Sequence, residues 1–265
     1  MVSSQPDDSM SRFDPPTPSL ETPDLPSHRT HRWGLGAFFL VEAVLLISAA
    51  FVGALLDPAQ DGRRLPVSDV LIGTMAPMLI AASLAVFITR FRGNGPLIDL
   101  RLGWRWADAK TGLKFGLLGL VSTTLAAFIW TKLVGQDNGS SAVSALVEDK
   151  PMSISAAIAM FLYLWLLGPI CEEIIFRGLL WGAVERLKWA NEKHGQIAAF
   201  LLSTAVFALS HLEPFRTTLL LVIAIPIGLA RLVTGRLVGS IVAHQMNNFV
   251  PALAILLTTF GVLKT

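Results

Sequence analysis

Gly168-Pro169-Ile170-Cys171-Glu172-Glu173-Ile174-Ile175-Phe176-Arg177-Gly178 places two carboxylates and a guanidinium inside an apolar run that would otherwise cross a bilayer unbroken. Charges in hydrocarbon cost a few kcal/mol each on insertion scales, so intramembrane ionisable groups mark functional sites by default. On a helix Glu173 and Arg177 are i,i+4 neighbours with the carboxylate N-terminal, the favourable order for a pair. Glu172 lies about 100° further round the helix. The spacing therefore assigns Glu173 and Arg177 to an internal supporting pair and leaves Glu172 free for chemistry.

The rest of the chain fits a membrane setting. Its 265 residues are 53% hydrophobic and 15% charged, with a mean hydropathy of +0.60. That composition excludes a soluble domain of this size and predicts an all-α, polytopic transmembrane helix bundle. Cys171 is the only cysteine, so no intrachain disulfide can form; it reads as a small packed residue. No secretory signal peptide is expected, because the first apolar run begins after residue 32 and is long enough to span.

Residues 1–32 are rich in Pro, Ser, Asp and Thr and read as a disordered cytoplasmic tail ending in His28, Arg29, His31 and Arg32. Spans are expected at about 34–56, 68–90, 111–135, 152–190, 196–213, 216–235 and 238–261, each near or above the roughly 20 residues a bilayer needs. Pro77, Pro169 and Pro226 fall inside them as expected kinks. Residues 33–149 thus hold N-terminal helices and a basic segment, and 150–261 hold a core containing the charged stretch. Arg90, Arg92, Arg101, Arg105, Lys110, Lys114, Arg186, Lys188, Lys193, Arg231 and Arg236 fall on one side with the tail. The other side receives Arg63, Arg64, Lys132, Lys150, Arg216 and Lys264. The bias puts the N-terminus in the cytoplasm of a multi-pass plasma-membrane protein and, with seven spans, the C-terminus outside. The basic segment 91–110, with Trp104 and Trp106, reads as an interfacial helix. Glu42 lies well inside the first span, as a polar-site member or an interhelical hydrogen bonder.

Two later segments carry matching polar groups. The fourth and fifth spans form a hairpin turning near Asn191–Gly195, which brings Glu172 and His211 to similar depth. His211 is therefore a candidate partner of Glu172, with Phe207 on its face. In the last span His244 and Asn248 are again i,i+4 and project together. Such a pair offers donors to an anionic oxygen forming during carbonyl attack, or, with Glu172 and His211, ligands for a metal such as zinc. Asn247 reads as packing. Gly228, Gly235 and Gly239 allow close helix approach nearby.

Glu172-Glu173-x-x-x-Arg177, Phe207-x-x-x-His211 and His244-x-x-x-Asn248, all within apolar helices, resemble the CAAX protease and bacteriocin-processing family. That family comprises type II prenyl-protein endopeptidases and abortive-infection proteins. The resemblance covers roughly 150–260, including Phe176-Arg177-Gly178 and the Thr234-Gly235-Arg236-Leu237 stretch. It implies an intramembrane endopeptidase in which Glu172 and His211 activate water, His244 and Asn248 stabilise the oxyanion, and Glu173 and Arg177 support the site. The implied partners are a protein or peptide substrate, lipid-modified in some relatives, and membrane lipids; no nucleic-acid partner is expected. Members have been described as metalloproteases, and a zinc ion would use Glu172, His211 and His244; the metal-free route, with Glu172 as general base, is favoured here. A non-catalytic membrane scaffold or immunity protein and a proton-coupled transporter are the alternatives, the last weakened by the lack of inverted repeats.

Overall fold

A computed structural model describes residues 32–56, 66–135 and 152–262. The tail through His31, and Arg63, Arg64, Lys150 and Lys264, lie outside the described residues. Among these residues eight helices follow one another: α1 (Leu35–Leu55), α2 (Val67–Arg92), α3 (Pro96–Asp99), α4 (Trp106–Val134), α5 (Ile154–Glu185), α6 (Glu192–Ser210), α7 (Thr217–Thr234) and α8 (Leu237–Thr259). No strand occurs among the described residues.

Six of these helices are long and apolar enough to cross a membrane: α1, α2, α4, α5, α7 and α8. The expected seventh, α6, is not among them, because Glu192, Lys193, His194 and Gln196 fill its first turns. It still runs alongside its neighbours. Gly228 on α7 lies against Phe200 and Thr204 of α6, and Phe207 packs edge-on against Phe176 of α5, with ring centroids 5.4 Å apart. Six helices thus have the length and apolarity to cross, and α6 packs among them with a partly polar first half.

Helix ends are set by local chemistry. Ser153 caps α5 by accepting from the Ala156 N–H at 3.2 Å, and Asn191 caps α6 by accepting from the His194 N–H at 3.0 Å. Gly235 ends α7 in the left-handed region at φ 65°, where a residue without a Cβ is favoured. Gly235 is thus a helix stop with open space where a Cβ would sit, unlike the close-approach role expected of it. Large side chains such as Phe39, Ile47, Phe51, Leu125 and Phe128 point outward and are exposed, as lipid-facing surfaces require.

One end of the bundle is basic and tightly knit. The Trp33 indole donates to Asp99 at 2.7 Å, Arg101 pairs with Glu185 at 2.8 Å, and Arg236 reaches Asp108 at 3.5 Å. The ends of α2, α5 and α7 and the starts of α1, α4, α6 and α8 gather here, so successive passes alternate in direction. The interfacial helix expected over 91–110 is corrected: only the four residues Pro96–Asp99 are helical before α4 begins. Gly95 sits at φ 99°, and the Asp99 carboxylate accepts from the Asn94 N–H at 3.2 Å, folding the segment into a turn.

Close packing between helices uses small residues, as it must where lipid removes the hydrophobic drive. A Cβ on Gly112 would lie 2.4 Å from the Gly239 carbonyl oxygen, and one on Gly116 would lie 2.6 Å from Met246 Cβ. These two glycines, a turn apart on α4, let α4 and α8 touch backbone to backbone.

Candidate active site

Helix α5 is not a continuous α-helix. Two π-helical turns, Tyr163–Leu167 and Ile174–Leu180, flank the α-helical Gly168–Glu173. Such turns are rare and concentrate at functional sites. The first one has a sequence cause. In its i,i+5 pattern the partner of the Leu164 carbonyl would be residue 169, and Pro169 has no N–H. Asn248 supplies the missing donor, its side-chain amide reaching Leu164 O at 3.2 Å. Gln245, three residues earlier on α8, donates to Leu166 O at 3.4 Å.

Glu173 and Arg177 pair at 3.1 Å with both side chains fully buried. The Arg177 guanidinium also donates to the Ala224 carbonyl of α7 at 3.4 Å and lies over the Phe207 ring, 4.4 Å from its centroid. The same Glu173 Oε1 meets His244 Nδ1 at 3.0 Å. His244 Nε2 faces Glu172 at 3.6 Å. The two adjacent carboxylates thus approach one imidazole from its two nitrogens, although they leave α5 in different directions. With Nδ1 held by Glu173, Nε2 is the nitrogen left to meet Glu172 or a ligand.

Phe207 is the hub between the motifs. Its ring lies 5.6 Å from the His244 ring and 4.7 Å from the His211 ring. His211 is the C-cap of α6, and its Nδ1 meets the Phe207 carbonyl at 2.8 Å. Among the described residues no ion pair joins His211 to Glu172. Asn248 stands one turn beyond His244 and anchors the first π turn. Asn247 is buried and its side-chain carbonyl accepts from Thr123 on α4 at 3.0 Å, in keeping with a packing role. Glu42 is half-buried on α1, with Oε1 unbonded among the described residues.

Glu172, His211 and His244 do not gather as a metal-binding set. Among the described residues no three His, Cys, Asp or Glu side chains are grouped to share an ion.

The elements that build this site, from α5 to α8, are also those that match a known family. Residues 154–250 match the family model described as type II CAAX prenyl endopeptidase Rce1-like. Over these residues the chain is similar to that family. No curated protein and no solved structure matches the chain. The matched region takes in all three motifs and both π turns, and leaves α1 to α4 outside it.

Sequence reasoning missed Gln245 and Arg231. Arg231 lies on α7, 2% exposed, donating Nε–H to the Arg177 carbonyl at 3.2 Å. In sequence it counted only as one more basic residue near a helix end. Its burial could not be read there, because the outward-facing Val233 shares the same apolar turn.

Proposed function

We propose that this protein is an intramembrane endopeptidase in which Glu172 is the general base. The observation that carries the reading is the approach of Glu172 to His244 Nε2 at 3.6 Å, with the opposite ring nitrogen fixed by buried Glu173. Glu172 is partly accessible, its side chain 18% exposed, whereas Glu173 is sealed. A carboxylate reachable by water beside an oriented imidazole suits hydrolysis.

In the proposed reaction Glu172 removes a proton from water as its oxygen attacks the scissile carbonyl carbon. The carbonyl becomes an oxyanion, which accepts from Nε2–H of a doubly protonated His244, its charge answered by Glu172 and Glu173, and from the second N–H of the Asn248 amide, whose first is given to Leu164 O. Glu172 then returns the proton to the leaving nitrogen as the C–N bond breaks. His211, across the Phe207 ring, assists water entry and proton transfer from the α6 side. Glu173 and Arg177 position His244 and keep its ring from turning.

The substrate is a protein or peptide segment held at the membrane, and isoprenylated protein tails are the class to test first. The purified protein in lipid nanodiscs, given fluorogenic peptides with and without a C-terminal isoprenyl group, should release products identifiable by mass. If the folded protein cleaves no peptide of either kind, the non-catalytic scaffold reading replaces this one.

A further inference from the structure

A cavity of about 510 Å³ opens at the basic end of the bundle, away from Glu172, among the turn after α2, the end of α5, the start of α6 and Arg231 of α7. Three arginines and three carboxylates line it, and the carboxylates have partners. Glu185 is paired with Arg101 at 2.8 Å. Asp99 accepts from Trp33 and from the Asn94 N–H. Glu192, at the exposed rim, accepts from Gln196 at 3.5 Å. Arg186 stacks over Trp33, 3.7 Å from its ring, on the Asp99 side.

Arg231 differs. It is 2% exposed, lies 5.1 Å from the Trp181 ring centroid, and meets no carboxylate within ion-pair distance among the described residues. Its Nη1 is unbonded there, although the side chain borders the cavity. A guanidinium removed from water costs several kcal/mol unless an anion answers it, and its planar fork matches phosphate and carboxylate oxygens. The cavity falls within the size range of small-molecule sites. Trp33 and Trp189 beside it are side chains that collect at a membrane–water interface.

We propose that this cavity binds a phosphate group through Arg231 and Arg186, at the level of the lipid headgroups. Bound there, the phosphate neutralises the buried Arg231 and, through the Arg231-to-Arg177 hydrogen bond, steadies the second π turn of α5.

Thermal unfolding of the full chain tests it. The protein is compared in phosphatidylcholine nanodiscs with and without phosphatidylglycerol, and in neutral detergent with inorganic phosphate or chloride at one ionic strength. Saturable stabilisation by phosphatidylglycerol alone identifies a lipid headgroup, and stabilisation by inorganic phosphate identifies a free anion; either supports the site. Arg231→Met should weaken the half-saturating concentration at least tenfold, Arg186→Gln should weaken it less, and Lys114→Gln, exposed on α4, should leave it unchanged. Should Arg231→Met fail to fold, the wild type and Arg186→Gln decide. No stabilisation of the wild type by either source, or stabilisation undiminished in Arg186→Gln and in any folded Arg231→Met, overturns the proposal.

Discussion

Glu173→Gln isolates what the buried carboxylate contributes beyond its shape. The substitution keeps an oxygen that can accept from His244 Nδ1, but removes the charge facing Arg177 at 3.1 Å. Both side chains of that pair have no solvent access, so screening by water is minimal and the guanidinium is left as an uncompensated interior charge. Breaking a buried pair by removing one partner costs about 3–5 kcal/mol. At about 2–4 °C per kcal/mol for a chain of this size, the melting temperature should fall by roughly 6–20 °C. Arg177→Met placed on Glu173→Gln removes the orphaned charge and should recover part of the loss, a coupling visible in a double-mutant cycle. Differential scanning fluorimetry in one detergent suffices. A stable Glu173→Gln, or a double variant no better than the single, refutes the claim that charge compensation holds this corner together.

His244→Ala and Asn248→Ala should each slow peptide cleavage by about a hundredfold to a thousandfold, the usual loss for an oxyanion donor. Asn248→Ala should also lower the melting temperature, because the Leu164 carbonyl loses its donor. His211→Ala should lower turnover with little change in melting temperature, since its ring nitrogen meets only the backbone of its own helix. Gly112→Ala should destabilise by about 1–3 kcal/mol, the range for overpacking, because the new methyl would meet the Gly239 backbone oxygen at 2.4 Å, which has no rotamer to adjust; a melting curve like that of wild type would contradict the close α4–α8 contact.

Six of the seven expected spans, the basic end and the Glu173–Arg177 pair were legible because each follows from a short-range rule: apolar length, Lys and Arg placement, and i,i+4 spacing. Two features were not. The π turns depend on which carbonyls find donors on another helix; Pro169 signalled a break, but only α8 could show that Asn248 fills it. The joint approach of Glu172 and Glu173 to His244 was also hidden, because a 100° step round α5 suggested separate directions. His244 comes from a helix more than sixty residues later, and its ring offers nitrogens on two sides. Gly112 and Gly116 likewise looked like any glycines in an apolar helix until their neighbours were known.

Whether Glu172 or Glu173 performs the chemistry is decided by the activity of Glu172→Gln. Glu172→Gln preserves size and hydrogen-bonding capacity and leaves the buried Glu173–Arg177 pair intact, so its melting temperature should match wild type. Its cleavage of a reporter peptide in nanodiscs should be lost, with wild-type protein turning over in parallel. Full activity in Glu172→Gln would contradict the mechanism outright.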